Sequence, residues 1–298
     1  MISGLLRIFS FAAALAFVGG VHAAAPGPRR IVSLAPSVTE TLFALGFGAR
    51  LVGVTTYCDY PAEARKLPKI GGFMSPSLET IVAQRPDVVI GVISATDPVK
   101  ARELERLGLK VTLVSLTSVK EILNSIKTIA QLMGSMAAGE MLVGKISRQM
   151  EQVKQRVAAA PRRSVLLAVG LRPLVAVGGG NFIDELITLA GGENIAANAA
   201  QPWLNLPDEY VIAKAPQVII EAGMGSERGP STKNWSDLPS IPAVKEQRVY
   251  AYPSDKILRP GPRIGEGLEE IARLLHPECF AERKGGTNKG NGCEDSRP

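Results

Sequence analysis

Histidine and cysteine are scarce in this chain. Of 298 residues, two are histidines, His22 and His276, and three are cysteines, Cys58, Cys279 and Cys293. So few imidazoles argue against a His-rich zinc or manganese site, and a Ser–His–Asp triad would have to be built on His276, close to the C-terminal end. There is no G-x-S-x-G turn, no H-E-x-x-H helix and no Cys–His pair suited to nucleophilic work. Neither a catalytic residue nor a metal ligand set is expected. An odd cysteine count leaves at least one thiol unpaired. Cys279 and Cys293 flank a polar stretch and could close a small loop, whereas Cys58 reads as a packing thiol ahead of a reactive thiol or a cobalt ligand.

Charge of one sign is never concentrated either. The net charge is +6, with Lys and Arg scattered among acids and no basic block interleaved with aromatics, so nucleic acid is not an expected partner. Long hydrophobic runs are absent too. The run from Ile8 to Val18 is too short to cross a bilayer comfortably. It follows Arg7 and precedes the small residues of "VHA", which is the pattern of an export signal over residues 1–23, cleaved near Ala23. No lipid-accepting cysteine stands at that point. The expectation is a free periplasmic protein, with a retained N-terminal anchor as the alternative.

What is present is the composition of a soluble globular protein, 46% hydrophobic and 21% charged, arranged in an α/β alternation. "RIVSLA", "RLVGVT", "DVVIGV" and "LKVTLVS" read as strands, separated by helical segments. The first helix is expected to carry a capping box from Ser37 and Glu40, and another is expected from Ser118 and Glu121. A proline-free segment, 135–160, places Val143, Ile146, Met150, Val153 and Val157 on one helical face. After Pro161 the alternation restarts with "SVLLAVG" and ends in the helix "GPRIGEGLEEIARLLHP". The expected organisation is an N-terminal α/β lobe over 28–134, a linking helix over 135–160, a second α/β lobe over 161–280 and a disordered polar tail over 281–298.

The two lobes carry an echo. "SPSLETIVAQRPDVVI" in the first matches "NLPDEYVIAKAPQVII" in the second, with Glu79 on Glu209, Ala83 on Ala213, Pro86 on Pro216, Val88 on Val218 and Ile90 on Ile220. Both glutamates fall in the first turn of equivalent helices. A helix dipole rewards an acid there by about 0.3–1 kcal/mol, which explains each alone. Related by a rough two-fold axis, they would also form two separated acidic tips able to dock arginines on a symmetric partner.

Aromatic residues stand at matching places. Tyr57 and Tyr60 follow a strand's C-terminal end, where ligands of parallel sheets gather. Phe73 and Trp203 precede the two echoed helices. Facing one another, they suit a broad, flat, partly apolar ligand, although two tyrosines can also simply pack beneath a loop. In "YPSDKILRPGPR", Arg259 is placed to grip a polar ligand group, or to pair internally with Asp255, while Arg263 belongs to the start of the closing helix. "AVGGGNF" lacks dinucleotide spacing and reads as a loop at the cleft edge.

Together, "RIVSLAPSVTETLFALG", "VGVTTYCDYP", "SLETIVAQRPDVVI", the long central helix and "RPGPR" resemble the periplasmic binding proteins for cobalamin, haem and ferric siderophores, over nearly all of the chain from Arg30 to Leu275. "YCDYP", and "PW" ahead of the second echoed helix, look most like the cobalamin binders. The resemblance implies two Rossmann-like lobes with parallel sheets, bridged by one long rigid helix, and a ligand cleft between them. It implies that Tyr57, Phe73, Trp203, Asp255 and Arg259 bind a corrinoid such as cobalamin or cobinamide. It further implies that Glu79 and Glu209 dock on a dimeric ABC permease of the inner membrane, and that the carrier is a monomer without a catalytic cofactor. Haem or a ferric siderophore is the alternative cargo, with Tyr57 or Tyr60 as the axial ligand for haem. An enzyme on the same frame is the remoter alternative.

Overall fold

The computed structural model describes residues 27–199, 201–223, 235–252 and 255–281. The expected export signal, nearly all of the expected tail, and Cys293 lie outside them.

The first lobe is a four-stranded parallel sheet in the order β2-β1-β3-β4, from β1 (Ile31–Ser33), β2 (Leu51–Val54), β3 (Val88–Val92) and β4 (Val111–Val114). Helices α1 (Pro36–Ala44), α2 (Leu78–Ala83), α3 (Pro98–Arg106) and α4 (Val119–Leu132) alternate with the strands. Side chains fix three of their starts. Ser77 accepts from Thr80 N at 3.2 Å, Asp97 from Val99 N at 2.8 Å, and Ser118 from Glu121 N at 3.2 Å. The capping box expected at the first helix does not form. Ala35 is the N-cap of α1, Pro36 opens it, and Ser37 lies inside. Glu40 is buried and serves an ion pair described below.

Helix α5 (Met136–Val157) buries Ile146, Met150, Val153 and Val157 along one stripe, the face expected from their spacing, and packs against α4 and α10 (Ile264–Leu275). The second lobe holds β5 (Arg163–Leu171), β6 (Leu174–Val177), α6 (Phe182–Leu189), β7 (Gly192–Asn194), β8 (Trp203–Asn205), α7 (Asp208–Lys214) and β9 (Val218–Glu221). There follow α8 (Pro242–Lys245), β10 (Val249–Ala251), α9 (Asp255–Leu258) and then α10. Strands β5, β7, β9 and β10 pair in parallel, as expected. Strand β6 returns antiparallel beside β5, and β8 antiparallel beside β6. Only Arg172 and Pro173 separate β5 from β6, too little chain for the crossover a parallel pair requires.

The echo extends to the backbone. Arg85 and Ala215 end their helices at φ 46° and 45°, a left-handed conformation that L residues rarely adopt. Just ahead of β3, Asp87 Oδ2 accepts from Arg29 N and Arg30 N at 2.7 and 2.9 Å; ahead of β9, Gln217 Oε1 accepts from Ser164 N at 3.0 Å. Val88 and Ile90, like Val218 and Ile220, face one central core, while Val89 and Ile219 face the outer layers. That central core is continuous from the first lobe through the α5 stripe to Leu268, Ile271 and Leu275 of α10. Bending the lobes against each other would open apolar packing all along this seam, so only small closure motions are expected.

Candidate functional site

A cavity of about 1330 Å³ lies between the lobes. It is larger than the roughly 300–1,000 Å³ usual for small-molecule pockets. The carboxyl ends of the first lobe's strands supply one wall: Pro36 and Ser37 after β1, Tyr57 after β2, Val92, Ser94 and Ala95 at β3, and Leu116 and Thr117 after β4. The second lobe answers with Val169, Val175, the turn Gly179–Phe182, Pro202 and Trp203, and the segment after β10 adds Asp255, Leu258, Arg259 and Pro260. All five residues expected at the ligand, Tyr57, Phe73, Trp203, Asp255 and Arg259, line this one cavity. Tyr57 is 58% exposed and Trp203 39%, so each offers a large ring to whatever enters.

Two residues weighed only as alternative ligands lie elsewhere. Cys58 is free and buried, within 3.2 Å of the Thr39 and Thr55 hydroxyls, and packs as expected. The Tyr60 ring lies under the Arg263 guanidinium at 3.9 Å and does not line the cavity. Cys279 is disulfide-bonded.

Arg259 is held within the protein. Its Nη1 meets Glu40 Oε1 at 3.0 Å and Asp59 Oδ1 at 2.7 Å, and its Nη2 meets Asp255 Oδ2 at 3.1 Å. Burial opposes its charge, but the bonds to Asp59 and Glu40 outweigh that and push its pKa above the usual value. Arg263 grips Glu40 with two donors, Nε to Oε2 at 2.7 Å and Nη2 to Oε1 at 2.6 Å. The reading of Arg259 and Asp255 as an internal pair therefore describes the geometry, and Glu40 is its buried hub. The network also ties the segment after β10 to α1 of the first lobe. A second tie crosses between the lobes where Glu185 of α6 accepts from Val119 N at the start of α4, at 2.9 Å.

Glu40 and Asp59 escaped sequence reasoning for a physical reason. Glu40 sits where a capping acid would, and nothing local reveals two arginines far along the chain. The strand-end rule would have found Ser94, Ala95, Leu116 and Thr117, since each follows a β-strand of the first sheet.

The glutamates of the echo stand away from this network. Glu79 in α2 and Glu209 in α7 are exposed, each the second residue of its helix. The loops leading into those helices pass the cavity, at Gly72–Ser75 and at Pro202–Trp203.

Two α/β lobes, a bridging helix and an interlobe cavity lined by aromatic and apolar groups define a solute carrier of the binding-protein class. The chain belongs to the periplasmic binding protein family, whose model matches residues 31–256. A vitamin B12-binding protein of Salmonella paratyphi A is 32% identical over 246 residues, covering 83% of this chain and 90% of that one. The crystal structure of the periplasmic vitamin B12 binding protein of Vibrio cholerae shares the fold at TM-score 0.76 and 24% identity, over 86% and 99% of the two chains. A periplasmic heme-binding protein from Roseiflexus sp. RS-1 in apo form superposes at TM-score 0.75 with 28% identity, over 85% and 100%. Among the described residues no helix is long and apolar enough to cross a membrane.

Proposed function

We propose that the protein is a non-catalytic periplasmic carrier that captures a corrinoid, cobalamin or cobinamide, and delivers it to a dimeric ABC permease in the inner membrane. The chain is exported by a leader over residues 1–23 and acts as a monomer. One lobe spans 28–134 and the other 161–280, with the linking helix 135–160 between them. Relatives that bind vitamin B12 support the cargo class, and the carrying observation is the charge balance of the cavity. Among the described residues lining it, the charged side chains are Asp255 and Arg259, and they pair with each other. Haem brings two carboxylates and ferric siderophores commonly bring net negative charge, so either would seek a cation with donors to spare. A corrin ring edged with neutral amides asks instead for flat apolar surface and scattered hydrogen-bond partners. Tyr57, Phe73 and Trp203 provide the former; Ser37, Ser94 and Thr117 provide the latter. Arg259 contributes as a fixed wall, its guanidinium already engaged by Glu40, Asp59 and Asp255.

Glu79 and Glu209 are the docking acids, one per lobe and one per permease subunit. Their duplication on exposed turns beside the cavity supports this role.

Equilibrium dialysis against cyanocobalamin, read by corrin absorbance, tests the cargo site. Trp203→Ala should weaken retention by roughly ten- to a hundred-fold, as truncation of a central aromatic contact does. Unchanged affinity in that variant would remove the aromatic cleft from the account.

A further inference from the structure

The repeated helices carry a second shared feature that the glutamates do not explain. Val82 in α2 and Ile212 in α7 are equivalent residues of the echo, and both are large aliphatic side chains left 37% and 40% exposed. Each follows its glutamate by three positions and so shares its helix face. Ala83 and Ala213, one position further on, are exposed as well. The inward face of each helix is anchored separately by Ile81 and Val211, both 0% exposed. Neither outward aliphatic belongs to the core clusters of its lobe or to the side chains packed against them. As β-branched residues they also lower helix propensity where a lysine or glutamine would raise it. Other exposed apolar side chains, such as Met141 on α5 at 70%, have no counterpart in the echo.

We infer that Val82 and Ile212 are paired apolar contacts for the dimeric permease, each seating in an apolar recess beside the basic group that meets the neighbouring glutamate. The inference rests on the docking reading above and names the part of the surface that holds the complex together. Two copies of one acid-plus-aliphatic stripe fit a partner that presents the same surface twice, as a two-fold dimer does. A second copy of this chain fits poorly, because stripe against stripe would set glutamate against glutamate. An apolar centre beside a polar, charged rim is the usual build of a stable interface. The stripes open just after Ser75 and Trp203, which line the cavity, so the occupied cleft and the docking surface are neighbours in both lobes.

The two contributions separate by salt. Charge pairs are screened over about 8 Å at physiological ionic strength, whereas apolar contact is not. Binding of the mature protein to the permease of the same cell's corrinoid importer, held in lipid nanodiscs, should be followed at about 0.05 M and about 0.5 M salt. Val82→Ser/Ile212→Ser should raise Kd about tenfold, through faster dissociation and by a similar factor at both salts, as expected for losing two partly buried aliphatic contacts. Met141→Ser should change nothing. Cyanocobalamin binding and thermal midpoint should stay at wild-type values in both variants. Wild-type affinity in the double variant overturns the inference and leaves the glutamates standing. Absence of any binding by the wild-type protein overturns the docking reading and the inference together.

Discussion

Replacing Glu40 with alanine will destabilise the protein by about 3–5 kcal/mol, the loss expected when one partner of a buried ion pair is removed and the other charge stays behind. The residue is 2% exposed and accepts three hydrogen bonds from two guanidinium groups. Alanine leaves Arg263 with no carboxylate among the bonds shown for it, and Arg259 with Asp59 and Asp255. Urea unfolding at neutral pH, compared at the transition midpoints, reads the effect. The same loss should free the segment after β10 from α1, so corrinoid affinity should fall along with stability. A loss below about 1 kcal/mol would mean that the network is no stronger than a surface ion pair.

The Glu79→Ala/Glu209→Ala double variant should bind corrinoid as the wild type does and fail to support its uptake. Truncating one partner of a desolvated, hydrogen-bonded charge pair costs roughly 2–5 kcal/mol, and here two such pairs are lost at once. Both residues are exposed and lie on short helices whose inward faces are packed independently, so folding should be unaffected. Radiolabelled cyanocobalamin uptake by cells carrying only the variant, set beside dialysis of the purified protein, separates docking from capture. Normal uptake would move the docking surface elsewhere.

Much of this molecule is legible from local pattern. The helix–strand echo gave equivalent structures because each copy repeats the same inward positions and the same proline break, and the α5 stripe follows directly from its spacing. Tyr57 is legible because strand ends in parallel sheets converge on one edge, and Phe73 and Trp203 because each precedes an echoed helix. What local pattern could not yield was long-range. Glu40 looked like a cap because its partners, Arg259 and Arg263, are more than two hundred residues away. The β5–β6 hairpin was hidden because Leu174–Val177 is a short apolar run next to a glycine-rich turn, and nothing in it states which neighbour it pairs with. The sequence allows Arg259 to be a ligand grip or an internal partner of Asp255, and only the geometry of three converging carboxylates distinguishes the two.

Calorimetric titration of the mature protein from Ala24 onward decides whether the charge-balanced aromatic cleft holds a corrinoid. Cyanocobalamin, dicyanocobinamide and haemin should be run in parallel. One-to-one binding of a corrinoid at roughly −12 to −8 kcal/mol, with no comparable heat from haemin, is the predicted result. Heat from haemin alone would contradict it and would turn Tyr57, which lines the cavity, from a flat contact into an axial ligand.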